Sequence, residues 1–499
     1  MPSAQEHVPQ SYAHQPVAAI ADSTDPASNT PLPSGDGQPP RPRRSWKGAR
    51  ALLVRLHFYA GVFVAPLLLV AALTGLAYTF TPQLDRLVYD EQLRVEEVGT
   101  TPRPLGDQII AAREAHPDGT LSSVVTPSGP EDTTRVVLSV PELGEKQRTV
   151  FVDPYTAEVQ GELTTWYGST PLTTWLDDLH RNLHLGEAGR LYSETAASWL
   201  WVIVAGGLLL WLGRARGRRT GSARGILLPD HGARGVRRTR SLHAATGVWL
   251  AIGLFCLSAT GLTWSHYAGD RFGDFLDATG GRPPALVTTL PGDARAEEGD
   301  HAEHAGHGAS GAEVPVNPAH FDSALAAARA VGLSGKVEVT PPVDEANAWT
   351  VAQDDPQWPV HYDRVAVDAV TGQVTSESRW ADYPVSAKLS KLGVQAHMGR
   401  LFGVANQIVL ALIALGLVFV LLWGYRMWWQ RRPTRTRRLG RAPARGAWRQ
   451  VPLPLLLTGV PVVAAVGWAL PVLGVTLLGF LVVDVAVGVI LRTRTDTAT

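Results

Sequence analysis

Residues 240–266 read "RSLHAATGVWLAIGLFCLSATGLTWSH". A histidine stands at each end of an unbroken apolar run, and an arginine cluster precedes it. The run is long enough for a helix to cross about 30 Å of hydrocarbon. Its core, "LHAATGVWLAIGLFCLSATGL" (242–262), aligns without gaps on "LHFYAGVFVAPLLLVAALTGL" (56–76), and nine of the 21 positions are identical, His57/His243, Gly61/Gly247, Thr74/Thr260 and Gly75/Gly261 among them. Shared apolarity alone does not match polar and glycine positions in this way, so the alignment predicts an internal duplication.

Working outward, the 499 residues are 45% hydrophobic with mean hydropathy near zero. That average hides six apolar runs: Ala51 to Phe80, Thr195 to Leu212, Ala244 to Trp264, Phe402 to Trp423, Val451 to Leu470 and Pro471 to Leu491. Each is read as a membrane span, with 451–491 as a hairpin or a re-entrant segment. Basic residues gather before the first run, after the second in "RARGRRTGSARG", and after the fourth in "RMWWQRRPTRTRRLGRAPARGAWR". The positive-inside bias then puts both termini in the cytoplasm and the two long loops outside the cell membrane, with Trp199, Trp201, Trp211, Trp264, Trp423, Trp428 and Trp429 as interfacial anchors. Residues 1–45, rich in Pro, Ser and Gly, are expected to be a disordered cytoplasmic tail. The first apolar run starts late and is long for a signal peptide, which favours a retained anchor. Cys256 is the only cysteine and lies mid-span, so disulfides and cysteine metal sites are excluded.

The expected order is first span (46–82), first outer domain (83–170), outer histidine helix and second span (171–213), basic loop (214–240), third span (241–266), second outer domain (267–385), outer histidine segment and fourth span (386–425), basic loop (426–450), hairpin (451–491) and short cytoplasmic tail (492–499). In the outer domains "LGDQIIAAREAHP" and "HFDSALAAARAVG" have helical spacing, while "TRVVLSVPE", "QRTVFVDP", "AWTVAQD" and "DRVAVDAVTGQV" alternate as strands do. "VFVDPYTAEV" (150–159) answers "VAVDAVTGQV" (365–374) as a strand and turn. Each outer domain is therefore read as a small antiparallel sheet with one packed helix. Neither assembles a nucleophile with a base.

His57 and His243 are placed near the inner rim, and His184 and His397 just beyond the outer rim, where "HLGEAGRLY" at 184 answers "HMGRLFG" at 397. His180 and His266 join the outer group without counterparts in that alignment. Ionisable groups within a membrane are costly and mark functional sites.

The duplicated Leu-His-x-x-x-Gly openings, the two strand-turn segments and the His-x-Gly entries together resemble the PepSY-associated transmembrane family, over roughly residues 50–430. That family includes iron-regulated membrane proteins and haem-containing siderophore reductases. The resemblance implies an α-helical integral membrane protein of about six spans in two repeats, with two small α+β PepSY-like extracytoplasmic domains. It also implies one or two b-type haems and reduction of a ferric siderophore or other oxidised metal chelate at the outer face, with electrons from a donor the sequence does not name. Low-spin b-type haem needs two imidazoles on opposite faces of the iron, which facing helices supply. The expected pairs are His57 with His243 and His184 with His397, with His180 and His266 bordering the outer site and Arg190 or Arg400 beside the propionates.

Two other readings use the same residues: a membrane-anchored PepSY binding module that senses or restrains extracytoplasmic peptidases, and a metal-uptake accessory protein. The second draws on "DHAEHAGHG", where His301, His304 and His307 are spaced by three in an acidic loop, a weak metal site. Asp484, within the last run, is expected to face the bundle or to mark a bent span. Thr74-Gly75 and Thr260-Gly261 are read as close helix-packing positions. No phosphate loop, dinucleotide fingerprint or HExxH motif occurs, which argues against nicotinamide and flavin binding; membrane lipid is an expected partner and nucleic acid is not.

Overall fold

The computed structural model describes residues 46–216, 227–290, 316–431 and 451–496. The N-terminal tail, residues 217–226 of the first basic loop, most of the second and the His301/His304/His307 tract lie outside these residues.

The chain enters through α1 (Trp46–Phe63) and α2 (Ala65–Thr79), which meet at a 55° bend. Pro66 causes it: proline has no N–H to give the carbonyl four residues back, and its ring crowds that carbonyl. The carbonyl concerned, Val62 O, is satisfied by the Tyr425 hydroxyl at 3.0 Å. The predicted first span is thus a kinked pair whose break is capped from another helix.

After α3 (Thr81–Val88) and α4 (Asp90–Leu93), the chain builds α5 (Leu105–Ala115) and strands β1 (Thr120–Val125), β2 (Thr134–Ser139), β3 (Gln147–Val152) and β4 (Val159–Thr165). It returns through α6 (Pro171–Asn182) and α7 (Gly186–Arg216), crosses again as α8 (Gly235–Leu262), and continues into α9 (His266–Ala278). A second set follows: α10 (Ala319–Ala330), β5 (Val337–Thr340), β6 (Trp349–Gln353), β7 (Arg364–Asp368), β8 (Gln373–Ser378), α11 (Val385–His397) and α12 (Gly403–Gln430). The hairpin α13 (Leu453–Ala469) and α14 (Pro471–Asp496) ends the described chain.

Among the described residues α7, α8, α12 and α14 can each cross a bilayer by length and composition, and the bent α1–α2 pair is apolar enough to make a fifth, broken span. Helix α13, where a further span is expected, has 17 residues with Pro461 inside it. Ala60, Leu68, Leu200, Val204, Leu254 and Leu417 form the bundle core. Trp199 is buried rather than interfacial, its indole N–H donating to Thr476 on α14 at 2.8 Å. Asp484 on α14 is ion-paired with Arg55 on α1, which is only 2% exposed.

The strands correct the expectation of two separate sheets. They form one eight-stranded sheet in the order β4-β3-β2-β1-β5-β6-β7-β8, every neighbouring pair antiparallel. β1 and β5 would each have left an open edge, and pairing Val124 with Val339 and Val125 with Glu338 closes both. Helices α5 and α10 cover one face, where Ile109, Ala112, Phe321 and Ala324 pack on Val124, Val136, Val339 and Val365 in one core. Asp322 of α10 accepts from the Leu105 and Gly106 amides at 2.7 and 3.0 Å, capping α5 from the other half. The turns match too: Asp153 accepts from the amides of Tyr155 and Thr156, and Asp368 from those of Val370 and Thr371.

Candidate haem-binding histidine pairs

Four histidines form two facing pairs. At the end of the bundle away from the sheet, His57 on α1 and His243 on α8 stand with ring centroids 6.3 Å apart and planes crossing at 78°. His57 Nδ1 lies 3.0 Å from the carbonyl of Ile203 on α7, and His243 Nδ1 lies 2.9 Å from the carbonyl of Val420 on α12. A carbonyl only accepts, so each Nδ1 carries the proton and each Nε2 keeps its lone pair. Neither Nε2 has a hydrogen-bond partner among the described residues. A glycine of the facing helix lies beside each ring: a Cβ on Gly207 of α7 would lie a tight 3.3 Å from the His57 ring, and one on Gly424 of α12 would make an ordinary contact at 3.7 Å with the His243 ring.

Toward the sheet, His180 on α6 faces His397 on α11, with centroids 6.4 Å apart and planes at 52°. Here the Nδ1 partners are hydroxyls, Thr74 at 3.0 Å and Thr260 at 2.9 Å. Each hydroxyl has one proton, which Thr74 gives to the Val70 carbonyl at 2.9 Å and Thr260 to that of Cys256 at 2.7 Å. Both therefore accept from the imidazole, and the tautomer is the same as in the first pair. The glycine after each threonine makes room: a Cβ on Gly75 would meet His180 Cε1 at 2.9 Å, and one on Gly261 would meet His397 Cε1 at 3.3 Å.

This corrects the expected pairing of His184 with His397. His184 is exposed, with its ring 5.1 Å from that of Trp175, and it takes no part in the pair. The short His-x-Gly match at His184 and His397 is out of register with the rest of the repeat. Sliding the second alignment to a constant offset of 217 residues pairs His180 with His397, Gly186 with Gly403, Gly207 with Gly424, Trp211 with Trp428 and Arg214 with Arg431. The carbonyls of Ile203 and Val420 fall on the same offset. In the first halves, the offset of 186 that joins His57 to His243 also joins Thr74 to Thr260. Those threonines, expected only as packing positions, are hydrogen-bond acceptors for the second pair.

His266 begins α9, exposed and edge-on to the Tyr267 ring with centroids 4.7 Å apart, and it is in neither pair. Arg190 is exposed and ion-paired with Glu187 at 3.7 Å. Arg400 is half-buried, three residues after His397, and its charge acts on Tyr78 and Asp177 beside the second pair. Burial raises the Asp177 pKa, against the pull of the Arg181 guanidinium 3.0 Å away. At the far end Arg214, Arg50, Arg240 and Arg431 interact electrostatically, and the charge of Arg214 also acts on both His57 and His243. In the sequence these arginines signal only orientation.

The centroid spacing of each pair suits two imidazoles that share one metal ion. A metal–imidazole bond is about 2 Å and the ring centre lies roughly 1.2 Å beyond the nitrogen, which places two axial imidazoles with centroids about 6.4 Å apart. The donor set of two neutral imidazoles, each held through Nδ1 by a second partner, is the one expected of b-type haem. Among the described residues no group of three or more His, Cys, Asp or Glu side chains is placed to hold a metal ion.

A family model described as the PepSY-associated TM region matches residues 54–431. The match encloses all four paired histidines and leaves α13 and α14 outside. No curated protein matches the chain in sequence.

Proposed function

Because the chain belongs to the PepSY-associated transmembrane family, we propose that it is a membrane haem protein which moves electrons across the bilayer to an extracytoplasmic ferric chelate, a ferric siderophore in iron acquisition. The observation that carries this reading is the pair of histidine pairs, alike in tautomer, in ring spacing and in flanking glycines, at the two ends of one bundle. Along α8 alone, His243 and Thr260 are 17 residues apart, about 25 Å of helix.

Bound between these imidazoles, b-type haem would supply reversible one-electron chemistry. The chain's own residues do the rest. His57 and His243 would hold one group, His180 and His397 the other. The carbonyls of Ile203 and Val420 and the hydroxyls of Thr74 and Thr260 keep each Nδ1 protonated and each Nε2 free. Arg214 and Arg400 are the cations beside the two pairs that would meet propionate carboxylates. The arginines gathered at the end away from the sheet agree with a cytoplasmic placement of that end, and hence of the sheet outside.

The test is absorbance of detergent-purified protein. A Soret band with reducible alpha bands is expected, and His57→Leu with His243→Leu lowers haem per chain by about half. Unchanged haem content in that double variant would overturn the assignment of the pair.

A further inference from the structure

We infer that Thr74 and Thr260 are positioning residues which set the reduction potential at the second histidine pair, and that their hydroxyls put it above the potential at the first, so that electrons run downhill toward the sheet. The inference rests on the function proposed above and deepens it by giving the transfer a direction. The step is one electron from the first site to the second, the first oxidised and the second reduced, and no proton moves.

The two pairs share ring spacing and tautomer but differ in the atom that accepts from Nδ1. In the first pair it is a backbone carbonyl, that of Ile203 for His57 and that of Val420 for His243. In the second it is a side-chain hydroxyl, Thr74 for His180 and Thr260 for His397. The repeat keeps this difference in both halves, since 186 residues separate the two threonines and 217 the two carbonyls. Each site therefore has two ligands of one kind, and the kind differs between the sites. The bonds are equally long at the two ends, 3.0 and 2.9 Å in each pair, so their strength follows the acceptor. An amide oxygen carries more negative charge than an alcohol oxygen. A bond to it draws the Nδ1 proton further from the ring and makes Nε2 the stronger electron donor. Stronger donation favours the ferric ion, whose extra positive charge it offsets, and so lowers the potential. The first pair is thus the more reducing.

Two opposing effects are smaller. Each hydroxyl also donates to its own helix, which strengthens it as an acceptor by roughly 10–30%, a correction to the difference and not its reversal. Cations favour the reduced form, and they stand at both ends: the charge of Arg214 acts on His57 and His243, and that of Arg181 on His180. Arg181 is partly answered by Asp177 at 3.0 Å, and Arg214 is exposed, where water and salt screen it.

The experiment is a potentiometric titration of full-length, detergent-purified protein, followed at the alpha band. It compares the parent with Thr74→Val plus Thr260→Val, which keeps the side-chain shape and removes the acceptors, and with Thr74→Ser plus Thr260→Ser, which keeps the hydroxyls. Two one-electron waves are expected in the parent. In the valine variant only the higher wave moves, upward, as the equilibrium constant for reduction rises about tenfold, or about 59 mV. The serine variant keeps both parental waves. Thr260→Val alone, with Thr74 still holding its ring, moves the same wave less far. Unmoved waves in the valine variants, or movement of the lower wave, would overturn the inference and leave the haem sites standing. A colourless parent protein would overturn it together with the proposed function.

Discussion

At the scale of single residues, the protein turns on which ring nitrogen carries the proton. Four imidazoles are held by acceptors that take a proton from Nδ1, two of them carbonyls and two of them hydroxyls already committed to their own helices. A neutral imidazole with a free Nε2 is a metal ligand and a poor base for anything else in a dry bundle. His184, close to His180 in sequence, has no such acceptor at its ring among the described residues. His180→Leu is therefore expected to remove about half of the haem, and His184→Leu to leave haem content unchanged, both read from pyridine haemochrome counts. Loss of haem in the His184 variant alone would restore the sequence-derived pairing. The choice between these two histidines was hidden because a four-residue slip along one chain brings a His-x-Gly triplet into register with another. Helix contacts resolve it, since only His180 lies on the face of α6 that meets α2.

At the scale of elements, α13 and α14 both lie outside the family's matched segment, and the packing of α14 on the bundle is the better defined. Helix α14 docks through Trp199 with Thr476 and through Asp484 with Arg55. Arg55 sits two residues before His57, and its guanidinium also stacks over Tyr59 at 4.9 Å. Removing the carboxylate from a buried arginine costs about 3 kcal/mol. Asp484→Asn should accordingly lower the detergent melting temperature and loosen α14, seen as faster proteolysis after residue 451, whereas an unchanged melting temperature would make the pair incidental. The apolar runs announced the helices, because sustained hydropathy is a strong signal. The Pro66 bend was written in the sequence as well, but its cap was not: Tyr425 lies 363 residues from the carbonyl it satisfies.

On the scale of the whole molecule, two halves share one sheet as well as one bundle. The strands that alternate most plainly, β2, β3, β6 and β7, were readable from sequence. The two that join the halves, β1 ("TLSSVV") and β5 ("VEVT"), were not: one carries two serines mid-strand and the other has four residues. Pairing across the junction is a long-range choice that local pattern does not encode. Asp322 binds the halves again, by capping α5 from α10. Asp322→Ala should cost about 1 kcal/mol, in the range for loss of a helix cap, and lower the melting temperature without altering haem content. If haem were lost with that change, the sheet would be acting on the bundle in a way the described contacts do not provide.

The proposed function requires two independent bis-imidazole sites in this chain. The most direct measurement is the number of b-type haems per chain in full-length protein purified from haem-supplied cells, counted as pyridine haemochrome against amino-acid analysis. Two per chain, falling to one when either pair is removed, is the predicted result. A colourless protein, or a single haem that survives loss of either pair, would contradict it.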